Sequence, residues 1–320
     1  MKRIIGIILC VCLLATCFSA CGEVSQSDAT LKIVTTIYPT YDWVKSIVGD
    51  SDDYEVTYLT DSGVDLHSYS PSVEDITSIK ECDLFIYVGG SSDSWVSYTE
   101  EDVVNENQIR LNLNDMLGDD LVAKETKEGM QIVEDECCAE DDYDEHSWLS
   151  VKNAITFTEI ISETICELDP DNSAMYEENS TAYLQELGDL DDLYTESLAP
   201  YENSTLIFGD RFPFIYLFKN YNLEYYAAFS GCTAETEASF ETIVFLSGKL
   251  DDLDLSYVLN VENCGHQIAE TVIQNSTDAD QSVLSLSSME NVTTEDVANG
   301  TTYISIMQSN LEILVQALEG

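Results

Sequence analysis

Along the chain, short runs that are apolar on both faces alternate with segments whose apolar residues recur every three or four positions. In the first half, LKIVTTI (31–37), YEVTYLT (54–60), LFIYVGG (84–90) and IRLNLN (109–114) predict strands. TYDWVKSIVG (40–49) and VEDITSIKEC (73–82) lie between them and predict helices. The second half repeats the scheme, with strands over 205–210, 224–230, 256–262 and 282–288 and helices over 213–222, 236–250 and 265–274. Strands apolar on both faces belong to a parallel sheet covered by helices. A helix over 151–168 is stopped by Asp169-Pro170-Asp171, which also caps a second helix over 173–198. Ile304, Met307, Leu311 and Leu314 form one stripe of a final helix. The predicted fold class is α/β: two lobes, each a parallel-rich sheet covered by helices, joined by a long interlobe helix. The expected division is an N-terminal lobe over 31–168 with an acidic loop at 124–145, a linking helix over 169–198, and a C-terminal lobe over 199–320. A cleft between such lobes, at the carboxyl ends of the strands, is where a ligand is expected.

The first residues change the picture of where the protein works. Met1-Lys2-Arg3 is basic, residues 4–16 (IIGIILCVCLLAT) are apolar but short for a membrane span, and FSACG follows. Residues 1–20 therefore read as a signal peptide ending in a lipobox, with Cys21 lipidated and 21–30 a polar tether. An ordinary cleaved signal peptide is the alternative. No later apolar run is long enough to span a bilayer. The expected location is extracytoplasmic, anchored to the cell membrane through Cys21.

Charge narrows the partners. Against 12 basic residues stand 61 acidic ones, for a net charge of −49. Nucleic acid is excluded as a partner, because phosphate binding needs a basic surface. The same charge attracts cations, while a hydrophobic content of 44% is enough for real cores. Of ten cysteines, Cys10, Cys12 and Cys17 leave with the signal, and Cys82 and Cys166 read as core thiols. No zinc-ribbon spacing is present. Cys232 and Cys264 each follow a predicted strand, and a bridge between them stays open.

The candidate chemistry lies in two of only three histidines. His67 sits in GVDLHSYSPSVEDI and His146 in DYDEHSWLS, each with carboxylates one or two positions upstream and an aromatic residue two positions downstream. Neutral imidazole is a common transition-metal ligand, so two such sites in an acidic, secreted chain point to a metal. The plain alternative is two exposed loop histidines without a role. His266 opens an amphipathic helix and has no matching motif. With no HExxH, no GxSxG and no Cys–His nucleophilic pair, an enzyme is not expected.

These motifs, in this order, resemble the extracytoplasmic solute-binding lipoproteins of zinc and manganese ABC transporters. The resemblance runs from IVTTIYPTYDWVKSIVGD through both histidine motifs and FSGCTAETEAS to the last helix. It implies the metal-type periplasmic-binding-protein fold and a monomer that captures one divalent ion, zinc before manganese, and passes it to an ABC permease. His67 and His146 match two ligand motifs. The family's third ligand follows the first strand of the C-terminal lobe, where this chain reads LIFGDRFPF; Gly209 falls on the position and Asp210 is the candidate substitute ligand, the alternative being that it pairs with Arg211 or caps the next helix. Glu290, in LSSMENVTTED, is the implied fourth, with Glu235 and Cys232 as alternates and Glu262 structural. Two imidazoles and two carboxylates fill a closed four-coordinate shell, which binds without catalysing. The family's collecting loop is usually histidine-rich; here residues 134–145 are mostly acidic around Cys137-Cys138, which favours manganese relatively more. A metal-dependent hydrolase and an adhesin-like lipoprotein without a tight metal site are the other readings.

Overall fold

The computed structural model describes residues 31–320 apart from 52, 133–142, 232–236, 264 and 279. The signal peptide, Cys21, Cys137, Cys138, Cys232, Glu235 and Cys264 thus lie outside the described residues. Cys82 is a buried free thiol and Cys166 a half-buried one.

Each strand predicted from the sequence forms. The first sheet contains β1 (Leu31–Thr35), β2 (Tyr54–Tyr58), β3 (Leu84–Tyr87) and β4 (Ile109–Asn112), and the second β5 (Thr205–Phe212), β6 (Glu224–Ser230), β7 (Tyr257–Val261) and β8 (Ser282–Leu286). Their orders are β2-β1-β3-β4 and β6-β5-β7-β8. Each strand pair is parallel. The helices are α1 (Tyr38–Val48), α2 (Val73–Glu81), α3 (Leu113–Leu117), α4 (Val151–Leu168), α5 (Ser173–Leu198), α6 (Ile215–Asn220), α7 (Phe240–Asp252), α8 (Gln267–Gln274), α9 (Thr294–Ala298) and α10 (Tyr303–Glu319). Among the described residues no helix is long and apolar enough to cross a membrane.

Parallel pairing explains the doubly apolar strands. Leu84, Phe85 and Ile86 are successive residues of β3 and all are fully buried, because helices cover both faces of the sheet. In each sheet the order reverses beside its first strand, β1 or β5. The ends of β2, β3, β5 and β8 lead into the loops that carry the site described below, as the switch-point rule expects.

One long helix connects the lobes. At 1.5 Å per residue, α5 is roughly 39 Å long. It buries Tyr176, Ser180, Tyr183, Leu187, Leu190, Tyr194 and Leu198 at helical spacing. Its tyrosines tie it to both halves of the chain. Tyr183 Oη donates to Asp42 Oδ2 at 2.8 Å on α1, and Tyr194 Oη donates to the Met307 carbonyl at 2.6 Å on α10. A second tie runs through Trp148, whose Nε1 donates to the Ser288 carbonyl while its own carbonyl accepts from Tyr303 Oη. One hydrophobic core therefore runs from Ile33 and Trp43 through Trp148 to Phe208 and Leu311.

The segment before His146 departs from a free acidic loop. Residues 124–132 cross to the other lobe. Gln131 N donates to the Ala228 carbonyl, Lys127 Nζ pairs with Glu224 at 2.8 Å, and Lys219 pairs with Glu125 at 3.0 Å. Gly129 lies so close to Phe245 that a Cβ there would meet its ring at 2.0 Å.

Trp43 has no exposed surface and packs its ring against Phe157 and Tyr303, so it bridges α1, α4 and α10. Trp43→Ala is expected to cost about 3–5 kcal/mol of stability, read as a lower urea midpoint with unchanged transition slope.

Candidate metal centre

His67 and His146 are presented by the same local device. Each histidine follows an aspartate at two residues' distance, and that carboxylate accepts the histidine's own backbone N–H: His67 N to Asp65 Oδ1 at 2.9 Å, His146 N to Asp144 Oδ1 at 3.0 Å. Such a turn fixes the backbone and throws the imidazole outward. The downstream aromatics anchor the far side. Trp148 packs against the His146 ring at 5.1 Å, and Tyr69 packs on Trp95 while donating to Asp75.

Glu290 arrives from the other lobe, on the loop after β8. Met289 takes a φ of +64°, which is uncommon for a residue with a side chain. Glu262 Oε1 holds this turn by accepting from Ser287 Oγ at 2.5 Å and Met289 N at 3.3 Å. Its role is structural. The turn buries the Glu290 carboxylate against the two imidazoles.

Three donor atoms converge there. His67 Nε2 and His146 Nε2 are 3.2 Å apart, and Glu290 Oε1 lies 3.2 Å from the first and 3.7 Å from the second. For metal bonds of about 2.0–2.2 Å, tetrahedral corners sit roughly 3.3–3.6 Å apart, so the spacing fits one small dication. Glu290 Oε2 accepts from Ser288 Oγ at 2.7 Å and Arg211 Nη2 at 3.0 Å, whereas buried Oε1 has no hydrogen-bond partner. Oε1 instead faces the two imidazole Nε2 atoms as an ion pair, and a metal ion is what this donor set suits. Among the described residues these three are the group whose ligand atoms lie close enough to share an ion.

The surroundings orient the ligand nitrogens. His146 Nδ1 is 3.0 Å from Asp144 Oδ1, so its Nδ1–H donates to that carboxylate and leaves Nε2 for the ion. His67 Nδ1 is 2.6 Å from Ser92 Oγ and 3.6 Å from Glu145 Oε1. Glu145 in turn accepts from Ser92 N, and it packs on Gly90 so closely that a Cβ there would meet its Oε2 at 2.1 Å. Burial works against charge on His146, but Asp144 and Glu290 outweigh it and push the imidazole up to about 10. Burial likewise opposes ionisation of Glu290, yet Arg211 and the two imidazoles hold its carboxyl well below the usual range. These groups form a buried ion-pair cluster, poised to exchange a proton for a metal.

Asp210, the expected third ligand, is placed elsewhere. Its Oδ1 accepts from Arg211 N at 2.8 Å and its Oδ2 from Val261 N at 3.0 Å, so both oxygens serve backbone N–H groups. The pairing of β5 with β6 slips between Phe208 and Arg211, three steps against two. This bulge redirects the strand end, and the side chain that reaches the centre is Arg211. Gly209 packs against α8, where a Cβ would lie 2.4 Å from Ala269 Cα. The alternates Glu235 and Cys232 lie outside the described residues. Sequence reasoning missed Asp144, Glu145, Ser92 and Arg211 as supports. Only the aspartate two residues before each histidine gave a usable signal.

With this geometry in view, comparison with known proteins decides the family. A profile of the family described as zinc-uptake complex component A, periplasmic (ZnuA), matches residues 33–317. The chain belongs to that family. The zinc-binding lipoprotein AdcA of Streptococcus pneumoniae R6 is 30% identical over 321 residues, which is 100% of this chain but 62% of AdcA. The chain therefore spans under two thirds of that relative's length. The high-affinity zinc uptake system protein ZnuA of Bacillus subtilis 168 is 29% identical, covering 95% of this chain and 96% of that one. The Zn(II)-bound ZnuA-like domain of S. pneumoniae AdcA superposes with a TM-score of 0.71 at 27% identity, over 91% of this chain and 99% of the domain. The two parallel-sheet lobes described above match the fold of that domain.

In the empty protein at pH 7, His146 is expected to be an imidazolium, and to lose that proton only as the pH rises through about 10. Because this pKa is above the unfolded value of about 6.5, the charged ring stabilises the empty fold below that value and the contribution is lost as pH rises through about 10. Ring nitrogen shifts by NMR check it; a neutral ring at pH 7 contradicts it.

Proposed function

We propose that this protein captures a divalent transition metal, zinc in preference to manganese, between His67, His146 and Glu290, and delivers it to an ABC permease. The observation that carries the proposal is the convergence of two Nε2 atoms on a buried Glu290 oxygen that has no hydrogen-bond partner. The names of the S. pneumoniae and B. subtilis relatives support zinc as the cargo. Two imidazoles from the N-terminal lobe and one carboxylate from the C-terminal lobe let a single ion bridge the cleft. We read the chain as an N-terminal lobe over 31–168, a linking helix over 169–198 and a C-terminal lobe over 199–320, a reading supported by α5 as spine. We further infer a lipid anchor at Cys21, a monomeric protein, and an acidic segment at 134–145 that gathers cations near His146.

Calorimetry or chelator competition tests the proposal. Zinc binding tighter than micromolar is expected, and binding no tighter than high micromolar for zinc, manganese or iron contradicts it. His67→Ala, His146→Ala and Glu290→Gln each are expected to weaken zinc binding by at least about 100-fold, and Asp144→Asn by about 10–100-fold. His266→Ala should change little, since His266 pairs with Asn260 away from the centre. Equal losses from all five variants would show the ligand assignment to be wrong.

Zinc must displace the His146 proton at any pH below about 10. The zinc Kd is therefore expected to weaken about tenfold for each pH unit lowered between pH 8 and 6, with at least one proton released per ion. A pH-independent Kd over that range contradicts this linkage. Removing residues 133–142 should leave the Kd within a few-fold and slow uptake from scarce metal. Loss of the tight site in that deletion would place a ligand in the segment.

A further inference from the structure

Arg211 stands at the end of β5, where the resemblance places a third ligand and where Asp210 was expected to serve. A guanidinium stays protonated and offers only donors, so it cannot coordinate a cation. It is also pinned. Its Nη2 donates to Asp65 Oδ2 at 2.7 Å and to Glu290 Oε2 at 3.0 Å, and the side chain is nearly all buried. Through the first bond it occupies the one carboxylate beside His67 in sequence. Through the second, with Ser288, it occupies the second oxygen of Glu290, which leaves Oε1 as a single-point ligand. Asp144 and Glu145 sit behind the imidazoles, on their Nδ1 sides. Among the described residues, three donor atoms converge and no fourth joins them.

We propose that Arg211 keeps the fourth coordination position out of the protein's hands, and that a small exogenous ligand from the cleft, water or a monoanion, fills it. This rests on the metal-capture reading. Zinc bound through three protein donors keeps such an open position, and the Arg211 cation on the Glu290 carboxylate favours one negative charge in the centre. Asp65, Asp144 and Glu145 surround the centre and disfavour multiply charged anions. Arg211 is then a positioning residue: it trades a ligand for a site that can be entered and left by ligand exchange.

The test is the visible spectrum of the full chain loaded with cobalt(II), titrated with azide and separately with thiocyanate. The unmodified protein is expected to show a saturable shift of its d–d bands with each anion. Arg211→His supplies a third imidazole as the fourth ligand; it should abolish that shift and tighten the zinc Kd by about an order of magnitude, roughly 1.4 kcal/mol. The anion titration of the unmodified protein stands by itself if the variant folds poorly. A spectrum indifferent to both anions overturns the proposal, as does a cobalt–thiolate absorption, which would put Cys232 in the shell. An Arg211→His protein that keeps both the anion response and the original Kd also overturns it. Failure to take up cobalt or zinc at all is a different result and overturns the metal-capture reading itself.

Discussion

Everything in this molecule is arranged around the division of labour within one buried carboxylate. Glu290 Oε2 is held by Arg211 and Ser288, and Oε1 is turned toward two imidazoles from the other lobe. Placing a charge there is costly, and only the surrounding cation and the imidazoles make it tolerable. The expense recurs at every level: a positive φ at Met289, a second carboxylate on Glu262 to hold the turn, and a bulge in β5 that brings Arg211 round. Such departures from local preference gather where a site demands them.

The fold serves to hold these pieces in register. His67 and His146 are presented from one lobe by paired aspartate turns, and Glu290 from the other. Between them the core is continuous through Trp148, Tyr303 and α5. The lobes are therefore joined by packed aromatic and aliphatic side chains, and not by a bare linker. The Arg211–Asp65 pair also spans the cleft, so a staple between the lobes is already present beside the ligands. Under the proposed function, a site preformed in this way would bind by exchanging a proton for a metal more than by folding around it.

Most of this architecture was legible in the sequence. Strands apolar on both faces, the Asp169-Pro170-Asp171 break and the stripe ending in Leu314 all express local periodicity, which is strong over whole elements. The two histidine motifs and Glu290, which the fold brings together, could be singled out as candidates for a different reason, because rare residue types in a recognised order carry information. Asp210 turns its oxygens to backbone N–H groups and away from the expected position, which a strict count along a strand does not anticipate. A bulge between Phe208 and Arg211 changes which side chain reaches the cleft, and nothing in GDRF announces it. The supports Ser92 and Glu145 meet His67 only through tertiary contact, over 25 residues in the case of Ser92, and no spacing rule reaches that far. The crossing of 124–132 onto the opposite lobe was hidden for the same reason.

The central claim is that two imidazoles and one carboxylate, contributed by both lobes, hold the ion. The most direct measurement is a crystal structure of the zinc-loaded protein with an anomalous difference map at the zinc edge. One peak is expected within about 2.0–2.2 Å of His67 Nε2, His146 Nε2 and Glu290 Oε1, with Arg211 still on Glu290 Oε2. A peak held by Asp210, or a zinc ion bound away from His67 and His146, would contradict it.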